Sequence, residues 1–214
     1  MSEATARGPI TVASPAGVTA GWSVSHRRST APLTLADWTP LAKVVVRTSP
    51  RGAVAQALGV ECGRARRDTG GALVLRFGPD EWLLIGPPGA APSLVEHWEG
   101  VAGDDFTTVI DITSGRALLR LTGARAPDVL AKLCAVDAFT ATDGTAFRST
   151  VAGVVTEVVR DDGGGPERCY LLACDWSFGQ YLFDVLLDAG GEFGVRVNGF
   201  FLEEDLDEHD DPAL

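Results

Sequence analysis

From residue 41 onward the chain runs strand, helix, strand, strand, helix, strand, and then runs through that order again. The first pass is "LAKVVVRTS" (41–49), a helix over 49–59, "GALVLRF" (71–77), "EWLLIG" (81–86), "APSLVEHWEG" (91–100) and "FTTVIDIT" (106–113). Ser49 and Pro50 suit the helix start and Gly59 its end, while the β-branched and aromatic runs read as strands. The second pass is "RALLRLTG" (116–123), a helix over 124–134, "STVAGVVTEVVR" (149–160), "RCYLLACD" (168–175), a helix over 177–190 and "FGVRVNGFF". No internal sequence repeat accompanies this order. Two split βαβ units joined in this way predict an α+β fold in which helices cover sheets. The units span about 41–113 and 116–199 of one domain over 39–200.

The last helix carries the strongest packing signal. Phe178, Tyr181, Leu182, Val185, Leu186 and Ala189 recur at the spacing of one buried face, and Phe183 and Leu187 widen it. Only Gln180, Asp184 and Asp188 remain as a narrow polar line. A helix this apolar is covered on more than one side, either by a second sheet of the same chain or by a partner protein.

Residues 1–38 are rich in Ala, Ser, Thr, Gly and Pro without periodicity and read as an extended or disordered arm. Residues 201–214 form an acidic tail. Seven acids between 203 and 211 account for seven of the eleven net negative charges, and such a block reads as a solvated end. An acidic chain lacks the basic surface that nucleic acid requires. No apolar run reaches the ~20 residues that cross a bilayer. The first residues lack the charged-then-apolar pattern of a secretory signal, so the expectation is a cytoplasmic protein. The cysteines Cys62, Cys134, Cys169 and Cys174 form no C-x-x-C pair, so neither a zinc ribbon nor a redox dithiol is expected.

The inventory for catalysis is poor. Of three histidines, His26 lies in the arm, His209 in the tail and His97 on a short helix beside Trp98. There is no G-x-S-x-G elbow, no H-E-x-x-H, no P-loop and no G-x-G-x-x-G. Asp80 and Glu81, in "GPDEWLLIG", are adjacent at a strand start. Alternate residues of a strand face opposite ways, so these carboxylates read as a hairpin corner rather than an acid/base pair. "DDGGGPE" reads as a hairpin tip. "GRARRD" (63–68) reads as a solvated basic loop. Asp111 and Arg116 flank "ITSG" and read as an ion pair bracing a tight connection. No catalytic, cofactor-binding or metal-binding residue is assigned. Trp82, Arg116 and Trp176 are the candidate partner-contact residues, because Trp and Arg are enriched at binding hot spots.

In order, "KVVVRTSPRGAVAQALG", "LRFGPDEWLLIG", "VIDITSGRALLRLTG…DVLAKLCAVD" and "SFGQYLFDVLLDAGGEFG" resemble the gamma subunits of heterotetrameric sarcosine oxidase over about residues 40–195. The resemblance implies two interlocked βαββα (ferredoxin-like) units, like the folate-binding domain of the glycine-cleavage aminomethyltransferase. It implies a noncatalytic role in a complex that demethylates sarcosine to glycine, with hydrogen peroxide and either formaldehyde or methylene-tetrahydrofolate. It places FAD, FMN, NAD and zinc in the alpha, beta and delta partner subunits and none in this chain. The alternative is a stand-alone folate-dependent one-carbon transferase. Aminomethyltransferases carry a G-G-x-x-D-D stretch where this chain has "AGVVTE", with Thr156 and Glu157 at the aspartate positions. The K-G-C-Y-x-G-Q motif of related iron–sulfur-repair proteins is broken here into "ERCYLLA" and "FGQY". Trp176 stands where the gamma subunits commonly have Arg.

Overall fold

The structure, a computed structural model, describes residues 5–201. The acidic run 203–211 and His209 lie outside the described residues. Two antiparallel-based sheets dominate. The five-stranded sheet contains β5 (Ala42–Thr48), β6 (Arg64–Arg67), β7 (Leu73–Arg76), β8 (Glu81–Gly86) and β9 (Thr107–Asp111), in the order β6-β7-β8-β5-β9. The six-stranded sheet contains β4 (Leu33–Asp37), β10 (Arg116–Gly123), β11 (Ala146–Val151), β12 (Val154–Arg160), β13 (Cys169–Asp175) and β14 (Arg196–Asn198), in the order β11-β12-β13-β10-β4-β14. A small sheet of β1 (Ala6–Arg7), β2 (Ala16–Thr19) and β3 (Trp22–Ser25) precedes them, in the order β1-β3-β2.

The interlock lies in two exchanged strands. β4 directly precedes β5 in sequence but pairs with β10 and β14 of the other sheet. β9 directly precedes β10 but pairs with β5. The chain therefore crosses between the sheets twice, once through residues 38–41 and once through the 3-10 turn Thr113–Gly115. Both crossings meet at Lys43. Its backbone N–H donates to Thr113 Oγ1 at 3.0 Å, and its carbonyl accepts from Ile112 N at 2.9 Å. Its Nζ donates to the carbonyls of Thr39 and Leu41, each at 2.7 Å. Lys43 has no exposed surface. Burial pushes its ammonium pKa down to about 7, against the upward pull of Asp37 and Asp111.

Four layers result. The helices α1 (Ala53–Leu58) and α2 (Ala91–Ala102) cover the outer face of the five-stranded sheet, burying Val44, Val46, Trp82 and Leu84 beneath Val54, Leu58 and Trp98. The helices α3 (Ala126–Leu133) and α4 (Gly179–Gly190) cover the outer face of the six-stranded sheet, over Leu35, Leu119, Leu121, Val158, Tyr170 and Leu172. The inner faces meet through Leu73, Leu75, Leu83, Ile85, Leu118, Val159 and Leu171. Strand alternation produces this division. On β8, Trp82 and Leu84 go to the helices, while Leu83 and Ile85 go to the opposite sheet.

Several expectations are corrected. Residues 33–37, read as arm, are β4, with Leu33 and Leu35 fully buried. Five residues, with polar Thr34 second and Asp37 last, give too short a pattern to stand out from the preceding coil. The basic stretch 63–68, read as loop, contains β6, the edge strand of its sheet, whose free side bridges the segment entering β11 through Ala65 N to the Gly144 carbonyl at 2.7 Å and Ala146 N to the Gly63 carbonyl at 2.9 Å. The single strand read over 149–160 is the hairpin β11–β12. Its turn is Ala152–Gly153, both at positive φ (51° and 82°), hidden in an apolar run.

The last helix buries Leu182, Phe183, Leu186 and Ala189, but Phe178 is 47% and Tyr181 50% exposed. The second sheet does not cover its other buried flank. The N-terminal segment does: Ile10 is 4% exposed in the same core, and Thr11 N donates to Gln180 Oε1 at 2.6 Å. A Cβ on Gly179 would stand 2.7 Å from Pro9, so glycine permits that close approach.

Candidate functional site

Three regions divide the layer between the sheets. At one end lies a cluster of charged side chains, in the middle an apolar contact, and at the other end a cavity.

The charged cluster is built by strand register. Arg148 on β11 stands directly opposite Glu157 on β12, and its Nε donates to Glu157 Oε1 at 2.9 Å. Arg116 on β10 forms an ion pair with Glu157 Oε2, and its other terminal nitrogen donates to Asp175 Oδ1 at 2.5 Å. Arg148 also reaches across to Glu81 of the five-stranded sheet, which Arg47 holds from the other side through Nε at 2.9 Å. Three arginines and three carboxylates thus tie the two sheets together. Burial alone would raise the Glu81 carboxyl, but Arg148 and Arg47 outweigh it and hold the group below its usual range. The Glu157 side chain is 8% exposed with an arginine on each oxygen. Both oxygens of this carboxylate thus face a guanidinium, and its charge is engaged in bracing the strands.

The structure separates the residues singled out from sequence. Asp80 is exposed at the turn while Glu81 turns inward, so the two carboxylates do not converge. Asp111 does not pair with Arg116. Its Oδ1 accepts from Thr113 N at 2.8 Å, which shapes the crossing turn. Arg116 is occupied by Glu157 and Asp175, and its side chain is 16% exposed. Trp82 has no exposed surface, because its strand position puts it beneath the helices. It presents nothing to a partner in this fold. Trp176 is half-buried, packs against Trp22 at 6.4 Å and adjoins the exposed Phe178. His97 sits exposed against Trp98, and His26 bonds Thr19 Oγ1 at 3.0 Å, so neither meets a nucleophile. Cys134 is half-buried; Cys169 and Cys174 are buried, and burial pushes the Cys174 thiol up to about 11. Among the described residues no group of three His, Cys, Asp or Glu side chains is arranged to hold a metal.

Sequence reading missed both ends of this layer. The Arg148–Glu157 pair was legible in principle, since opposite charges face each other across a hairpin. It was lost when the hairpin was read as one strand. The cavity at the far end, about 420 Å³ in volume, is lined by Trp38, Arg67, Arg120 and Asp161 among others. Arg67 lies on the unrecognised β6, Trp38 in the 38–41 crossing, Arg120 on β10 and Asp161 just past β12.

The fold is an aminomethyltransferase-like double-sheet α+β fold, with one end of its inter-sheet layer closed by ion pairs. A glycine-cleavage aminomethyltransferase T from Bartonella henselae shares the fold, with a TM-score of 0.66 and 20% identity over 86% of this chain and 55% of that one. The chain belongs to the sarcosine oxidase gamma subunit family, whose model matches residues 47–192. A gamma subunit of sarcosine oxidase from Corynebacterium sp. (strain P-1) is 34% identical over 140 residues, 64% of each protein. The chain thus spans just under two thirds of that relative's length. A chain of the heterotetrameric sarcosine oxidase from Corynebacterium sp. U-96, solved with pyrrole 2-carboxylate, has a TM-score of 0.67 and 25% identity. That match covers 80% of this chain and 90% of the other.

Proposed function

We propose that this chain is the noncatalytic gamma subunit of a heterotetrameric sarcosine oxidase, assembled with alpha, beta and delta subunits that carry FAD, FMN, NAD and zinc. The complex demethylates sarcosine oxidatively to glycine, with peroxide and formaldehyde or methylene-tetrahydrofolate as the other products. Membership of the family supports the assembly. The observation that supports the noncatalytic part is the pairing of Glu157 with Arg148 and Arg116, which gives that carboxylate a bracing role between strands. No described helix is long and apolar enough to cross a membrane.

The contact surface we assign is the aromatic strip of Trp176, Phe178 and Tyr181, with Arg116 and Asp175 at its edge. Two half-exposed aromatic rings at i and i+3, beside a partly covered tryptophan, match the composition of interface cores. The test is affinity purification from cells that express all four subunits. The tagged chain is expected to bring down larger subunits in fixed proportion, with a flavin absorption band. Recovery of the chain alone and colourless would remove the proposal.

A further inference from the structure

The cavity at the Trp38 end of the inter-sheet layer is a built site, separate from the ionic cluster. Asp161 follows Glu157 by four positions along β12 and its exit, roughly 13 Å away at the rise of a strand. The cavity's volume of about 420 Å³ falls in the range of small-molecule sites. Its walls include the apolar side chains of Leu73, Ile85 and Leu171, which belong to the inter-sheet core.

Two arginines reach this cavity, and they differ. Arg67 is spent: it bonds Asp161 Oδ2 at 2.6 Å and the Gly71 carbonyl at 3.1 Å. Arg120 is held but unspent. Its guanidinium stacks 4.2 Å over the Trp38 ring, and its Nε donates to Cys169 Sγ at 3.1 Å. Among the described residues its two terminal nitrogens have no hydrogen-bond or ion-pair acceptor. Burial pushes the Cys169 thiol up, despite the nearby Arg120 charge that pulls the other way, so the sulfur supplies no negative charge to the guanidinium.

An arginine fixed by stacking and by a tether, with half its fork open, is ordered before anything binds and loses little entropy on binding. Two parallel N–H donors match the two oxygens of a carboxylate. A dianion such as phosphate fits less well, because only one open cation faces it and Asp161 lies close by. The apolar walls ask for a hydrocarbon or aromatic body.

We propose that this cavity binds a small organic monocarboxylate with an apolar body of about one ring, its carboxylate on the Arg120 fork. The site binds and does not react: Asp161 is paired with Arg67, and the thiol is protonated. This assignment is independent of the subunit role proposed above.

The test uses the full chain with benzoate as probe and uncharged benzamide as its isostere, followed by saturation-transfer NMR. Benzoate is expected to bind saturably, and benzamide much more weakly. Arg120→Gln should weaken benzoate by roughly tenfold to a hundredfold, the worth of a hydrogen bond to a charged group. Arg120→Lys should fall between the two. Where Arg120→Gln does not fold cooperatively, the benzoate–benzamide contrast and Arg120→Lys carry the decision. No saturable benzoate binding, equal binding of the two probes, or full benzoate affinity in a folded Arg120 variant would overturn the assignment.

Discussion

Replacing Glu157 by glutamine removes one charge from the cluster between the sheets and nothing else of similar size. Glu157 is 8% exposed and pairs with Arg116, 16% exposed, and Arg148, 41% exposed. Removing one partner of a buried pair typically costs about 3–5 kcal/mol. The lower end applies here for two reasons. Each arginine keeps a second carboxylate, Asp175 or Glu81, and solvent screens the Arg148 side. The expected loss is therefore about 3 kcal/mol, or about 6–12 °C in Tm for a chain of this size. Urea denaturation at neutral pH reads it directly, as a lower midpoint with an unchanged slope. In the assembled complex, turnover per bound subunit should stay at the wild-type level. A stability change below about 0.5 kcal/mol, the scale of an exposed pair, would mean that the cluster does not hold the sheets together. Loss of turnover in a complex that assembles normally would mean that Glu157 takes part in chemistry.

Three further outcomes follow from other parts of the fold. Gly123 has φ 136°, and a Cβ there would stand 2.1 Å from the Pro32 carbonyl oxygen. Gly123→Ala should cost about 3 kcal/mol or more by forcing β4 away from β10, and circular dichroism melting would detect it. Lys43 has a folded pKa of about 7. Between about pH 7 and 10.5 the unfolded chain binds more protons at this group, so its contribution to stability rises with pH. Over that window wild type should gain up to about 5 kcal/mol relative to Lys43→Met, and parallel pH profiles of the two proteins would refute the assignment. Phe178→Glu combined with Tyr181→Glu should abolish co-purification of the other subunits while the isolated chain still melts cooperatively, about 1–3 kcal/mol below wild type as half-buried rings and the Tyr181 bond to the Ala152 carbonyl are lost. Intact assembly would move the contact surface elsewhere.

The elements that were legible are those whose signal is local. β8 falls where its apolar run ends at a Gly-Pro turn, and α1 ends at Gly59 in the left-handed conformation. The repeated element order could be read because each strand and helix in it carries its own periodicity. What sequence hid is relational. That β4 and β9 exchange sheets depends on which strands pair, and pairing leaves no mark in either strand alone. The face of α4 was read too widely because Phe178 and Tyr181 fit the buried spacing, yet the helix axis leaves them outside the contact with β10 and β4. The ionic cluster and the cavity bring together residues from both sheets, some far apart in sequence, such as Arg47 with Glu81 and Arg67 with Asp161. Their charges, taken singly, look like solvated surface.

The most direct test of the account is to give the purified full chain sarcosine, oxygen and tetrahydrofolate and to measure peroxide and folate binding together, by a coupled peroxidase assay and calorimetry. No peroxide, no flavin spectrum and no heat of folate binding are expected, with activity appearing only when the other subunits are added. Peroxide formed by the chain alone, or folate binding that Glu157→Gln abolishes in a folded protein, would contradict it.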